Sequence, residues 1–304
     1  MICEEGGSAL LDEKIFDSVR DFLYLDNRKV YTEIVAQQHV YIFDNMILTH
    51  LNKLCTTDLE KILSSLNKSD YILIPTHIMY ETAQNQSMPR HVYDSLYLQF
   101  FETLCKMKKV CVFSFHYMYE ILLESSINQG VAFELLKSFA QVTNELNLSV
   151  YKKIVKCEES PYEIETILTE ETRNSGERII NLFVLILLND GLSRVYTCSN
   201  DQKGIYSIRK IMRKNEFLLQ LLALTEKQFT EGYRVLSWDK ILFDYARGMD
   251  GMEAILEQFL ERCRGKHAQT RQILYVEDED AEYDTLDNRS FFKLIMNPSS
   301  KLTF

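Results

Sequence analysis

Apolar residues fall along this chain in two rhythms. One recurs every three to four positions, the period of an amphipathic helix. The other is a short unbroken run, rich in β-branched and aromatic residues, which marks a strand buried on both faces. Helical spacing covers residues 9–38, with apolar positions at Leu11, Ile15, Val19, Phe22 and Leu23. A strand is expected at 40–43, ending on Asp44, and helix spacing returns over 46–66. A second strand, 71–74, stops at Pro75, and a helix begins near Thr76. An amphipathic helix over 91–108 leads to a third strand at 110–115. Residues 117–172 read as mostly helical, broken at 144–147 and at Ser160-Pro161. Ser175-Gly176 opens a strongly apolar helix through Leu188, and a fourth strand covers 194–198. A helix to about Leu224 and a fifth strand at 234–237 follow. The tail beyond Arg247 reads as a helix, an acidic stretch at 277–287 and a short terminal piece. No internal repeat is present.

Strands alternating with helices imply an α/β class with a mostly parallel sheet, whose sites form at the carboxyl ends of the strands. Composition narrows this further. Of 304 residues, 46% are hydrophobic and 26% charged, the balance of a globular protein rather than a disordered one. The 34 basic and 44 acidic residues give a net charge of −10, which disfavours a broad basic surface coating nucleic acid. The cysteines are seven, with no C-x-x-C pair, as expected in a reducing compartment. Residues 1–7 carry no basic-then-apolar signal pattern, and the apolar run 179–188 is too short to span a bilayer. The expectation is a soluble cytoplasmic protein with no membrane partner.

Four acids stand out as polar exceptions beside apolar elements. Asp44 and Asp201 directly follow strands, Glu81 lies in the helix after the second strand, and Glu177 is in the first turn of the most apolar helix. Clustered carboxylates lose hydration and repel one another, so they need protons or cations. Mg²⁺ and Mn²⁺ favour such oxygen ligands, and can activate a water for phosphodiester cleavage. Each acid taken alone also fits a plainer role: Asp44 a turn or cap, Glu177 a partner of the helix dipole, Asp201 an N-cap.

The stretches Ile42-Phe43-Asp44-Asn45, Ile74-Pro75-Thr76 leading to Glu81, Ser175-Gly176-Glu177-Arg178 and Tyr196-Thr197-Cys198-Ser199-Asn200-Asp201 occur in that order. In this the chain, over about 39–245, resembles the PIN-domain nucleases. The resemblance implies a Rossmann-like three-layer α/β/α fold. It implies that Asp44, Glu81, Glu177 and Asp201 are catalytic residues that bind Mg²⁺ or Mn²⁺, with Asn45 and Asn200 auxiliary. Met46 stands where that family usually has Asn or Ser, and Gln202 and Lys203 follow Asp201 where some members have a further acid. Residues 1–38 are then an N-terminal helical extension, about 117–172 a helical insertion able to gate the site, and 246–304 a helical and acidic tail.

A basic cluster, Lys203, Arg209, Lys210, Arg213 and Lys214, follows Asp201. Spacing of four puts Arg209 with Arg213 and Lys210 with Lys214, a face able to grip a phosphate backbone or simply to be solvated. Arg173 and Arg178 flank Gly176-Glu177 and can meet either a phosphate or Glu170 and Glu171. The histidines show no zinc spacing, and no P-loop, G-x-S-x-G or G-x-G-x-x-G occurs. The expected activity is a metal-dependent endoribonuclease acting on single-stranded or structured RNA such as a tRNA, in a toxin or phage-defence setting, with an inhibitory or activating protein partner and oligomerisation both open. A DNA-directed nuclease of this fold and a decayed, non-catalytic scaffold are the alternatives.

Overall fold

The computed structural model describes residues 18–84, 87–158, 160–170, 175–248, 253–275 and 281–302. Among them, the strands Tyr24–Leu25 (β1), His39–Phe43 (β2), Tyr71–Pro75 (β3), Lys109–Phe113 (β4), Arg194–Cys198 (β5) and Tyr233–Leu236 (β6) form one sheet. Its order is β1-β4-β3-β2-β5-β6, and every pairing is parallel. The expected three-layer α/β architecture with a parallel sheet is therefore found. The apolar runs are short and unbroken because both faces are covered: Val40–Phe43, Ile72–Ile74, Val110–Phe113 and Val195–Cys198 are all buried.

The Ser175–Asn189 helix explains its own composition. It packs on β3 and β5 on one side and on the helices Phe115–Glu124, Gln129–Thr143 and Pro161–Thr169 on another. A helix enclosed in this way has no face left for polar residues, and Ile179–Leu188 are buried throughout. The segment expected to be mostly helical, about 117–172, is a set of helices: those three together with Leu148–Lys156. The helix Trp238–Arg247 packs against Thr56–Ser65, which in turn packs against Arg90–Met107.

Four boundaries differ from expectation, each for a local reason. The helical spacing of 9–38 is interrupted at β1, which pairs with β4, and the helix proper is Arg28–Gln37. Asp26 turns the chain with φ 38°, and its carboxylate accepts from the Ser114 N–H and hydroxyl, both at 2.8 Å. Residues 9–17 lie outside the described residues. The third strand stops at Phe113 because Ser114 caps the next helix. The fifth expected strand ends at Leu236 for the same reason, with Ser237 as the cap. In the tail, Gln269–Tyr275 and Ala281–Asp287 form an antiparallel pair, so much of the acidic stretch is strand, followed by the helix Asn288–Met296. Residues 276–280 lie outside the described residues.

The tail helix Glu253–Arg264 is fastened to Trp238–Arg247. Arg264 meets Asp239 with two hydrogen bonds, 2.9 and 3.0 Å, both side chains almost fully buried. Trp238 Nε1 donates to the Cys263 carbonyl at 3.0 Å. No helix among the described residues is long and apolar enough to cross a membrane. The described cysteines, Cys55, Cys105, Cys111, Cys157, Cys198 and Cys263, are free thiols.

Candidate active site

The chain runs outward from β2 to β3 to β4, then returns to place β5 on the other side of β2. Such a reversal splays the flanking connections and opens a crevice at the carboxyl ends of the two strands. β2 and β5 are in register through Phe43 opposite Cys198, so Asp44 and Ser199 emerge side by side. The Asp44 N–H donates to the Cys198 carbonyl at 3.1 Å.

Asp44 is 3% exposed. One carboxylate oxygen accepts from the Asn45 N–H at 2.7 Å, which makes Asp44 the cap of the Asn45–Asn52 helix. The other accepts from the Ser199 hydroxyl, also at 2.7 Å. Ser199 is fully buried and its oxygen accepts from the Asp201 N–H at 3.1 Å. One hydroxyl thus braces both strand-end acids. Asp201 caps the one-turn π-helix Gln202–Ser207, accepting from the N–H groups of Lys203 and Gly204 at 2.8 and 2.9 Å. The capping roles foreseen for Asp44 and Asp201 are real.

Glu81 and Glu177 complete the group from the other side. Glu81, on the Thr76–Thr82 helix, accepts from the Gly176 N–H and the Ser175 side chain. Two glycines permit the approach. A β-carbon at Gly176 would stand 2.5 Å from Ile78 Cδ1 and 2.7 Å from a Glu81 carboxylate oxygen. At Gly204 it would collide with the Asp201 carboxylate and lie 3.1 Å from Glu177 Cβ and Cγ. A side chain at either place would push these neighbouring groups out of their present positions.

Asp44, Glu81 and Glu177 each feel the charge of at least one other acid of the four. Burial is the largest cause in each shifted case. It pushes Asp44 up to about 6 against the hydrogen bonds from Ser199 and Asn45, with Asp201 raising it further. Glu81 rises to about 7 through burial and then the charges of Asp44 and Glu177. Glu177 rises to about 7 through burial, the charges of Asp44 and Asp201, and a hydrogen bond to the Asp201 side chain. Two of the acids are therefore poised near neutrality, holding protons that a cation would displace.

No protein-family model, no curated protein and no solved structure matches this chain. The donors themselves suit a hard divalent cation, being carboxylate oxygens. Asn45 Oδ1, next in the chain to Asp44, is buried and has no hydrogen-bond partner. Among the described residues, no three or more His, Cys, Asp or Glu side chains are arranged to hold an ion as they stand. The residue types fit Mg²⁺ or Mn²⁺, and binding requires the carboxylates to turn toward a shared point.

The flanking cations fare differently from their sequence spacing. Arg209 is turned inward: Nε donates to the Tyr233 carbonyl at 2.6 Å and a terminal nitrogen to the Thr230 carbonyl at 3.0 Å. Arg213 pairs with Glu226 at 3.1 Å. These two arginines do not share an open face with the lysines. Lys210 lies over the Tyr206 ring at 5.4 Å, and Lys203 and Lys214 are exposed. Arg178 is buried and donates to the Leu168 carbonyl at 3.0 Å, binding the insertion to the Glu177 helix. Glu170 is ion-paired with Lys153 instead of an arginine near the site. Arg173 lies outside the described residues. Asn200, just past β5, joins it to the helix after β6, accepting from the Trp238 N–H at 2.7 Å, with its amide nitrogen 3.2 Å from His50 Nε2.

Three supporting residues escaped the sequence reading. Ser199 sits between two recognised motif positions but carries the hydrogen bond that holds Asp44. Its signal is the alternation that turns a residue after β5 toward β2. Asn181, one turn beyond Glu177, donates to the Gly204 carbonyl at 2.7 Å and accepts from the Tyr233 hydroxyl at 3.2 Å. Its signal is a lone amide inside a wholly apolar helix. Glu165, from the insertion, lies 3.6 Å from His77 on the Glu81 helix. Burial lowers His77 to about 4 and raises Glu165 to about 7, so this contact is not an ion pair at neutral pH.

Proposed function

We propose that this protein is a metal-dependent nuclease of PIN-like character, cleaving RNA in preference to DNA. The observation that supports it most is the convergence of Asp44, Glu81, Glu177 and Asp201, from four separate elements, on the crevice beside β2 and β5. Burying acids together is costly, and a fold that does so at its topological switch point has placed that cost where chemistry happens.

Mg²⁺ or Mn²⁺ bound there would supply a polarised phosphoryl oxygen and a water of lowered pKa. The chain's own residues set the stage. Ser199 keeps one Asp44 oxygen fixed while the neighbouring backbone N–H holds the other. Glu177 and Glu81, raised toward neutral without a cation, would release their protons as the ion binds and serve as its oxygen ligands. Lys203 and Lys214, both exposed, are the members of the basic cluster suited to a phosphate backbone. The modest number of free cations and the net charge of −10 favour a short single strand or a compact structured RNA such as a tRNA over long duplexes.

The lack of a ready-made ion site among the described residues supports a second reading, a scaffold whose metal site has decayed. One experiment separates the two. Wild type and Asp201→Asn are incubated with total RNA, purified tRNA and single-stranded DNA, with Mn²⁺ or with chelator. The nuclease reading expects RNA cleavage that needs Mn²⁺ and disappears in the variant. Cleavage that persists in Asp201→Asn sinks the mechanism, and no cleavage in any lane favours the scaffold.

A further inference from the structure

A second concavity lies away from the carboxylates, over the face of the sheet toward the amino ends of β5 and β6. It is a cleft of about 680 Å³, within the ~300–1,000 Å³ typical of small-molecule sites. Strand register builds its floor. Tyr41, Tyr196 and Arg234 are direct partners across β2, β5 and β6, so they project from one face in a row. The Tyr41 and Tyr196 rings lie 5.1 Å apart, and Tyr206 joins them from the π-helix.

The rim is cationic in an acidic protein. Lys68, Arg194 and Arg234 reach the cleft from three different segments. Lys240, also lining it, is neutralised by Asp244 at 2.5 Å, and Arg209 is held by backbone carbonyls. Among the described residues, the side chains of Lys68, Arg194 and Arg234 make no hydrogen bond or ion pair. Three converging, unspent cations have lost no hydration to partners and offer donors to an anion. Arginine's planar fork matches phosphate oxygens two at a time. Tyr41, Tyr196 and Tyr206 are themselves buried, and the edges they show the cleft give it an apolar wall beneath the cations, suited to a flat heterocycle. Glu231 and Asp244 give the same cleft acceptors, which a bare inorganic anion cannot use but sugar hydroxyls and amino groups can.

We propose that this cleft binds a small phosphate-bearing nucleotide, its phosphates held by Lys68, Arg194 and Arg234 and its base against the tyrosine wall. The site shares no residue with the carboxylate group, and stands or falls apart from the nuclease reading. Calorimetric titration with ATP, GTP and inorganic tripolyphosphate tests it. The wild type binds a nucleotide at micromolar to ~1 mM strength and tripolyphosphate more weakly. The double variant Arg194→Gln with Arg234→Gln binds at least ~10-fold more weakly, while Arg194→Lys with Arg234→Lys regains part of the loss. Asp201→Asn binds like the wild type. Equal unfolding temperatures without ligand show that the variants fold. The proposal is overturned if the wild type binds neither nucleotide or the glutamine variant binds undiminished. It is equally overturned if tripolyphosphate binds as tightly as ATP, or if a short RNA binds this cleft more tightly than any mononucleotide.

Discussion

Replacing Glu177 with glutamine should stabilise the protein, and the gain should grow with pH. Burial and the neighbouring acids raise Glu177 from its ordinary 4.5 to about 7. The folded state therefore keeps a proton that the unfolded chain gives up between those values. With more protons bound when folded, stability falls as pH rises through this window, and the full penalty is present above 7. Each pKa unit corresponds to about 1.4 kcal/mol. The rise of Glu177 then sets a ceiling of about 3 kcal/mol, lowered because Asp44, itself raised to about 6, titrates with it. A glutamine amide donates to Asp201 as protonated Glu177 does, without the charge. Urea unfolding of both proteins, in chelator, should show Glu177→Gln ahead by about 2 kcal/mol near pH 8 and by well under 1 kcal/mol near pH 5. A difference that is flat with pH, or a variant weaker than wild type at pH 8, refutes the idea that these acids strain the fold.

Ser199→Ala removes the hydroxyl that Asp44 accepts at 2.7 Å. A hydrogen bond to a buried charge contributes about 1.5–3 kcal/mol, so Asp44 should titrate above its present value of about 6 and the alkaline limb of stability should steepen. An NMR titration of the Asp44 carboxyl carbon reads this, and an unmoved midpoint contradicts it. Arg264→Ala leaves Asp239 buried without its bidentate partner. The loss should be about 3–5 kcal/mol, seen as a lower urea midpoint, and a drop under 1 kcal/mol would show that the pair is dispensable.

The sheet's inner strands and the apolar helix were legible because both faces of a parallel sheet must be apolar, which leaves unbroken runs such as Ile72–Ile74. β1 was not, because two residues carry no period and its place depends on Asp26 bonding Ser114, far along the chain. The tail hairpin was hidden because paired edges can be acidic and still form a ladder. Asp44 and Asp201 stood out at strand ends and Glu177 at a helix start, whereas Glu81 lies near the end of its helix and was picked out by the order of the stretches. Ser199 and Asn181 could not be ranked, since their roles come from what lies across the crevice. Arg209 illustrates the converse: its spacing with Arg213 is correct, but the Tyr233 carbonyl, not solvent, meets its guanidinium.

The proposed nuclease needs Asp44, Glu81, Glu177 and Asp201 to act together as one cation site. Titrating Mn²⁺ into the wild type and into Asp201→Asn, followed by the loss of the free-ion paramagnetic resonance signal, tests it without needing a substrate. Asparagine keeps the oxygen that caps Lys203 and Gly204, so the fold survives while a charge is removed. One shared cation site gives saturable Mn²⁺ binding by the wild type, stronger near pH 8 than near pH 5 as the raised acids give up their protons, and at least ~10-fold weaker binding by the variant. Failure of the wild type to bind Mn²⁺ at pH 8, or equal binding by both proteins, would contradict it.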